Sequence, residues 1–308
     1  MTRKWILVLA AVAACAGDAG TRTDRTIVAF NAGSLARPLR AALDSFALRE
    51  GVTVLQESAG SLESARKLTE LGKIPDILAL ADEDVFPQLL MPAHTSWYAR
   101  FAHNRMVLAH THSSRGAVEI TGDNWWQVLQ RPGVETGRSD PELDPNGYRT
   151  LLVLQLAERH YGKPGLAKQL LAAMPARNVR PKEADLVGLL QAGEFDYIWS
   201  YESMAVNLGL PFVTLPAAID LSSPAESTFY AQARVRVRGK GTDSVEFRGR
   251  PIVYALSIPV GAPHPAIAEQ FVRYLFSADG RRVLRQQGLD AFESPVIVGA
   301  GAPATLVP

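Results

Sequence analysis

Short apolar, β-branched segments alternate with amphipathic segments of helical length along this 308-residue chain. Segments 26–30, 52–55 and 76–80 are apolar runs, and segments 35–48 and 61–71 between them have apolar residues at helical spacing. Strands that alternate with helices need crossover connections, which make neighbouring strands parallel. The pattern therefore predicts an α/β fold in which mostly parallel sheets are flanked by helices.

Two further apolar strands, 106–109 and 252–258, enclose a second alternating region of about half the chain. An insertion between two returning strands predicts two lobes joined by a double hinge, with a cleft that can close around a ligand. We predict a first lobe of residues 26–105 plus 253–308 and a second lobe of residues 106–252.

The N-terminal residues predict export. Arg3 and Lys4 precede the apolar run 5–14, which is too short to span a bilayer as a stable helix. The run ends at Cys15, the only cysteine of the chain, and Val12-Ala13-Ala14-Cys15 resembles a bacterial lipobox. We predict a signal peptide at 1–14, then a lipidated Cys15 and a tether over 15–25. The alternative is an ordinary signal peptide whose cysteine is discarded.

The expected location is the outer face of the cell membrane or the periplasm, with membrane attachment through the lipid alone. The charge is nearly balanced, with 32 Lys and Arg against 31 Asp and Glu. Nucleic acid is therefore excluded as the expected partner, because it selects concentrated basic surfaces. We expect a monomer without a resident cofactor.

A tetrapeptide occurs twice, each time where a predicted strand ends and a helix begins. Ala32-Gly33-Ser34-Leu35 follows the first strand and Ala59-Gly60-Ser61-Leu62 follows the second. Glycine permits close approach of the backbone, and the first turn of a helix offers free N–H groups to an anion. The pattern favours an anion site that includes Ser34 and Ser61. The alternative is that both serines are only helix N-caps.

The second lobe offers acids near two predicted helix starts. Asp144, with Pro145 and Asn146, opens one helix, and Glu183 opens the next. Helix capping and complementation of the helix dipole are the alternative explanation for both acids. Tyr201, at the end of a strand, is by its residue type a core residue.

The chain resembles the tungstate- and molybdate-binding proteins of ABC importers, particularly the branch typified in archaea. The resemblance runs from about Ile27 to about Gly288. It is carried by these segments in order: Phe30–Leu35, Ala59–Ser61, Pro75–Ile77, Phe101–Leu108, Asp144–Arg149, Gly193–Tyr197, Asp220–Pro224 and Pro251–Tyr254.

The resemblance implies a two-lobed periplasmic-binding-protein fold of type II, with the solute between the lobes and an ABC permease and its ATPase as partners. Ser34 and Ser61 match the oxyanion-binding serines of the family. Asp144, with Pro145 and Asn146, matches the second-lobe segment that contacts the oxyanion. Glu183 and Tyr201 match the carboxylate and the tyrosine with which the family contacts its ligand. Glu202, beside the tyrosine, is an alternative second acid.

Two acids beside a doubly negative oxyanion repel it, and burial strengthens that repulsion. The acids make chemical sense if Asp144 and Glu183 coordinate the tungsten or molybdenum centre itself, because hard oxygen ligands suit a high-valent metal. Proton uptake by one acid is the other way to relieve the repulsion. Either chemistry favours tungstate or molybdate over sulfate.

The alternatives are another small anion, sulfate or phosphate, or a ferric ion on the same scaffold. Ferric traps present clustered tyrosines, whereas the sequence brings only Tyr201 near the predicted site. Motifs of hydrolases, zinc proteases and phosphate-binding loops are absent from the sequence, so we predict a protein that is not an enzyme. His110 and His112 are predicted to be a surface pair rather than metal ligands.

Overall fold

The computed structural model describes residues 25–239 and 243–306. The predicted signal peptide and the lipidated Cys15 lie outside the described residues, as does the tether up to residue 24. Within the described ranges, no helix has the length and apolar character needed to cross a membrane.

The strands, in chain order, are β1 (Thr26–Ala32), β2 (Thr53–Ala59), β3 (Ile77–Leu80), β4 (Trp97–Asn104), β5 (Met106–His110), β6 (Thr136–Ser139), β7 (Val179–Arg180), β8 (Tyr197–Tyr201), β9 (Phe212–Thr214), β10 (Arg234–Arg238), β11 (Ser244–Arg248), β12 (Ile252–Ser257) and β13 (Asp290–Gly299). The α-helices are α1 (Ala36–Glu50), α2 (Ser61–Thr69), α3 (Trp125–Val128), α4 (Pro145–His160), α5 (Leu166–Ala172), α6 (Glu183–Gln191), α7 (Glu202–Leu208), α8 (Ser227–Tyr230), α9 (Pro265–Phe276) and α10 (Ala278–Gln286). Single 3-10 turns lie at Gly33–Leu35, Ala176–Asn178, Pro224–Glu226 and Ala304–Leu306, and a π-helical segment at Phe86–Leu90.

The first lobe is built on a six-stranded sheet with the order β13-β4-β12-β3-β1-β2. β1 pairs in parallel with β2 and β3. The residues that follow β1 and β2 lie against the second lobe, Gly33 near Ala184 and Gly60 near Leu143. β4 ends at Asn104 and the chain continues at once into β5 of the second sheet. β12 returns at Ile252 and pairs antiparallel with both β3 and β4.

The second lobe is built on a five-stranded sheet with the order β7-β6-β8-β5-β9. β6 is parallel to β7 and β8, while β5 is antiparallel to β8 and β9. The hairpin of β10 and β11 lies against α4, where the ring of Phe247 stacks on that of Tyr148 at 4.6 Å.

The predicted α/β class and two-lobed architecture are confirmed, but the sheets contain less parallel pairing than predicted. The reason is the double crossing between the lobes. A strand that enters the first sheet from the cleft, as β12 does, must run away from the cleft and so lies antiparallel to β3, which runs towards it. The sequence pattern also missed β4, β6, β7, β9 and β13 as strands.

The two lobes touch across the cleft through backbone as well as side chains. The amide of Glu63 donates to the carbonyl of Leu143 at 3.2 Å, and Lys182 donates to the carbonyl of Ser58 at 3.2 Å. Gly60 lies so close that a Cβ built on it would stand 2.1 Å from the Leu143 oxygen. The structure is therefore the closed form of the two lobes.

Two helical glycines of the second lobe differ in what surrounds them, and together they test how closely α4 packs against the segment before it. A Cβ on Gly147, in the first turn of α4, would lie 2.6 Å from the carbonyl oxygen of Ser139, whereas Gly188 of α6 is exposed with open space around it. We expect Gly147→Ala to lower the free energy of unfolding by about 1–3 kcal/mol through overpacking. Gly188→Ala should raise it by about 0.5–1 kcal/mol, because alanine is the better helix former. Urea unfolding measures both, and equal effects of the two substitutions would contradict the packing described.

Candidate functional site

The two Gly-Ser segments lie side by side at the cleft edge of the first sheet. β1 and β2 are in register at their last residues, Ala32 opposite Ala59, so Ser34 and Ser61 follow at equivalent places. Both serines are buried. The arrangement expected from the repeated tetrapeptide is therefore the one observed.

Neither serine makes a side-chain capping bond. The N-cap of α2 is Gly60, and Ser34 lies in the 3-10 turn before α1. Ser34 Oγ accepts a hydrogen bond from the hydroxyl of Tyr254 at 2.9 Å, and Ser61 Oγ accepts one from the amide of Ala81 at 3.0 Å. Because each hydroxyl is an acceptor in these contacts, its own proton remains available to an anion. The interpretation of the serines as helix caps is wrong.

Asp144 does cap helices, and it caps two of them. Its Oδ1 accepts from the amide of Asn146 at 3.4 Å in the first turn of α4, and its Oδ2 accepts from the amide of Glu183 at 2.8 Å in the first turn of α6. Pro145, Asn146 and Gly147 follow Asp144. Proline is favourable at the first helical position, because the N–H that it lacks would have no partner within the helix there. Each carboxylate oxygen has a second lone pair, so capping leaves Asp144 able to accept from a ligand.

Glu183 is held by one oxygen only. Its Oε1 accepts from the Ser200 hydroxyl at 2.6 Å and from the Tyr201 amide at 2.7 Å. Its Oε2 is buried and finds no hydrogen-bond partner in residues 25–239 and 243–306. Nearby, Asn146 accepts from Ser139 at 3.2 Å through Oδ1, while its buried Nδ2 is likewise without a partner in the described chain. Glu183 Oε2 and Asn146 Nδ2 are therefore two buried polar atoms beside Asp144 that have no partner in the described chain.

Burial shifts the titration of both acids. It raises the pKa of Glu183 to about 8, with the charge of Asp144 acting in the same direction. It also raises the pKa of Asp144 to about 6, although the two backbone amides that Asp144 accepts from oppose the shift. Burial therefore favours the protonated form of Glu183 more strongly than that of Asp144, whose ionised form two backbone amides stabilise.

Arg149 brings a buried cation to the site. Its Nη1 donates to the Tyr201 hydroxyl at 2.8 Å and to the carbonyl of Ala81 at 2.7 Å, and its Nη2 lies 3.1 Å from the Asp82 carboxylate. Ala81 is the residue whose amide donates to Ser61. The guanidinium therefore connects Ala81, which donates to Ser61 in the first lobe, with Tyr201 of the second lobe.

Tyr254 is the second residue that sequence reasoning missed. Its ring lies 5.9 Å from that of Tyr201, and its hydroxyl accepts from Asn104 at 2.8 Å while donating to Ser34. Tyr201 is thus not the only tyrosine at the site, contrary to the sequence-based argument. Burial raises the pKa of both hydroxyls above the usual value, which disfavours the phenolates that a ferric ion would need.

The structure brings six of the predicted residues together: Ser34, Ser61, Asp144, Asn146, Glu183 and Tyr201. Pro145 takes part as the first residue of α4. Glu202 does not belong to the cluster, because it is partly exposed and pairs with Arg105 at 2.8 Å. The position of Arg149, one helical turn after Pro145, was the available signal for its inward placement.

The prediction of a surface histidine pair is wrong for His110 and confirmed for His112. His110 is buried against the carbonyl of Thr111 at 3.0 Å, and His112 is exposed. Across residues 25–239 and 243–306, no group of three or more His, Cys, Asp or Glu side chains is arranged to hold a metal ion.

With the geometry in place, similarity to known proteins defines the class. A family model of bacterial extracellular solute-binding proteins matches residues 27–290. The chain belongs to this family. It is therefore a solute-binding component of transport, and the prediction that it is not an enzyme is confirmed.

Two relatives within this family are similar to the chain over most of its length. An uncharacterized solute-binding protein of Petrotoga mobilis is 42% identical, over 87% of this chain and 84% of the relative. The molybdate/tungstate-binding protein WtpA of Pyrococcus abyssi is 33% identical, over 95% of this chain and 92% of the relative. The resemblance found in the sequence motifs is confirmed.

Solved structures share the fold at low identity. The sulfate-binding protein SubI of Mycobacterium tuberculosis aligns with a TM-score of 0.62 at 15% identity, covering 91% of this chain and 88% of that protein. The periplasmic molybdate-binding protein of Azotobacter vinelandii aligns with a TM-score of 0.59 at 18% identity, covering 85% and 98%. Because proteins for different anions align about equally well, the fold does not distinguish between those solutes.

The raised pKa of Glu183 predicts a pH-dependent stability of the protein without solute. Between about pH 4.5 and 8 the folded state holds a proton on Glu183 that the unfolded chain releases, so stability falls as the pH rises. The slope approaches roughly 1.4 kcal/mol per pH unit for one proton. Asp144, with its pKa of about 6, adds to this slope only in the lower part of the pH range, below about pH 6.

Glu183→Gln removes the titrating group and keeps the Oε1 contacts, so we expect a flatter dependence between pH 6 and 8. Urea unfolding at several pH values measures it. Glu202→Gln is the control, since Glu202 is partly exposed, and its slope should equal that of the wild type. A Glu183→Gln slope equal to the wild-type slope would contradict the assignment.

Proposed function

We propose that this chain is the extracytoplasmic binding protein of an ABC importer and captures tungstate or molybdate between its lobes. Membership of the solute-binding family and the similarity to WtpA support this proposal. The protein would deliver the anion to a membrane permease that its ATPase drives. In the same proposal, a lipid on Cys15 holds the protein at the membrane surface.

The observation that carries the proposal is Glu183 Oε2, a buried carboxyl oxygen without a partner in the described residues, beside a second buried acid. A buried polar atom without a partner costs free energy, so a site that keeps one has a use for it. Coordination of a tungsten or molybdenum centre by Glu183 and Asp144 supplies that use. The hydroxyls of Ser34 and Ser61 and the amide of Asn146 would then donate to the oxyanion oxygens.

Sulfate and phosphate fit this site less well. Their central atoms accept no further oxygen ligands in water, so an ionised carboxylate could only repel them. A protonated Glu183 could still donate one hydrogen bond to such an anion. Substitution of Glu183 separates these two chemistries.

The first test is thermal unfolding of the purified protein with tungstate, molybdate, sulfate, phosphate and ferric citrate, each added alone. At a thousandfold excess over its dissociation constant, a ligand that binds only the folded state adds about 4 kcal/mol. That corresponds to a rise in Tm of roughly 10 °C. We expect this rise with tungstate and molybdate and little with sulfate. An equal rise with sulfate, or a rise with ferric ion alone, would contradict the proposed solute.

The second test uses Glu183→Gln, which retains an acceptor at Oε1 and replaces only the unpartnered oxygen by an NH2 group. If the carboxylate coordinates the metal centre, this change should weaken tungstate binding roughly 100-fold, as truncating a buried charged partner does. Titration calorimetry measures the affinity. Wild-type binding should also release a proton near pH 7, because Glu183 must ionise to coordinate.

Calorimetry in buffers with different ionisation enthalpies measures how many protons are released or taken up on binding. The control is Glu202→Gln, which should bind as the wild type does. Unchanged tungstate affinity in Glu183→Gln would show that the residue only donates a hydrogen bond, and the coordination chemistry would then be wrong.

A further inference from the structure

A set of buried contacts joins the lobes beside the solute site. We call Asp82, which follows β3 in the first lobe, together with Tyr148 and Arg149 of α4 in the second lobe, the cleft bridge. Arg149 Nη2 lies 3.1 Å from Asp82 Oδ2, and Tyr148 donates a short hydrogen bond to the same oxygen. Arg149 Nη1 also donates to the carbonyl of Ala81 at 2.7 Å. Arg149 thus contacts two consecutive residues of the first lobe, Ala81 and Asp82.

The cleft bridge is continuous with both halves of the solute site. On the first-lobe side, Ala81 donates its amide to Ser61 Oγ at 3.0 Å. On the second-lobe side, Arg149 donates to the hydroxyl of Tyr201 at 2.8 Å. An unbroken path of hydrogen bonds thus runs from Ser61 through Ala81 and Arg149 to Tyr201. Any change of lobe position that moves Arg149 also breaks this path.

Closure of the lobes changes the surroundings of two charges. In the closed form Asp82 is 4% exposed and Arg149 is 3% exposed, and each is the charged partner of the other. Separation of the lobes would part them and return both to water. A charge that is buried without its partner is strongly unfavourable, whereas the complete pair is tolerated when its geometry is good. Closure is therefore favourable only when both members are in place.

We infer that Arg149 is a positioning residue that couples solute occupancy to lobe closure through its ion pair with Asp82. The inference rests on the proposed function and extends it to residues outside the set that would touch the anion. Bound solute fixes Ser61 and Tyr201, and these hold Ala81 and Arg149 in the positions that the closed form requires. The ion pair in turn slows reopening, so its main effect is on the rate of solute release.

The alternative role for a buried cation near an anion site is compensation of the charge of the solute. The two roles predict opposite effects for Asp82→Asn. If Arg149 only compensates charge, removal of the neighbouring carboxylate strengthens anion binding. If the pair holds the lobes closed, Asp82→Asn leaves Arg149 buried without a countercharge and weakens binding.

The test compares Asp82→Asn, Arg149→Met and the double variant with the wild-type chain. The control is Arg115→Met, which removes an arginine paired with Asp196 at 3.0 Å wholly within the second lobe. Tungstate affinity is measured by calorimetry, dissociation by stopped-flow tryptophan fluorescence, and closure by the radius of gyration in solution scattering with and without tungstate. Circular dichroism of the protein without solute shows whether each variant is folded.

We expect each single variant to weaken tungstate binding about 10- to 100-fold, mostly through faster dissociation. The compaction on adding tungstate should also become smaller. The double variant buries neither charge, so it should bind more tightly than either single variant. Arg115→Met should bind and compact as the wild type does.

Tighter binding by Asp82→Asn would overturn the inference in favour of charge compensation. Wild-type affinity in both single variants, or strictly additive losses in the double variant, would overturn it as well, and both results would leave the proposed function standing. If the wild type binds none of tungstate, molybdate, sulfate and phosphate, the proposed function and the coupling fall together. Arg149→Lys keeps the charge and serves as the second variant should Arg149→Met fail to fold.

Discussion

Asp144 accepts hydrogen bonds from the first turns of both α4 and α6, so one buried carboxylate holds together two helices that begin at different strand ends. The positions of the remaining second-lobe groups depend on this junction. It places Glu183 at the start of α6, where Ser200 and Tyr201 of β8 occupy one of its oxygens and leave the other free. Acid side chains at helix starts are common for electrostatic reasons, but a shared acid between two helix starts also fixes the distance between them.

The buried charged groups of the closed cleft nearly offset one another. Asp82 and Arg149 neutralise each other, and burial raises the pKa of Glu183 further than that of Asp144. An arriving dianion would otherwise meet two negative carboxylates at low dielectric. A raised pKa on one of the two acids lowers that repulsion, which makes the proposed capture of a metal oxyanion chemically consistent with a site rich in acids.

Several features of this protein follow from local sequence patterns. The strand–turn–helix repeat predicted the α/β class, and the repeated Ala-Gly-Ser-Leu placed Ser34 and Ser61 at neighbouring strand ends, as the register of Ala32 with Ala59 confirms. These predictions succeed because hydrophobic periodicity and helix starts are short-range properties of the chain. Motif order over the whole chain likewise identified the family, since it samples many positions at once.

Other features were decided only by the tertiary structure. The sequence left the serines as either caps or anion donors, and it left Glu202 as a rival to Glu183. The structure shows that the serines are not side-chain caps, because Tyr254 and Ala81 from distant segments donate to their oxygens, and that Glu202 pairs with Arg105 outside the cluster. The position of Arg149 one helical turn after Pro145 could indicate that it points inward, but not which groups it meets, because Asp82 and Ala81 lie far from it in sequence. Side-chain partners far apart in sequence are chosen by packing, which local patterns do not encode.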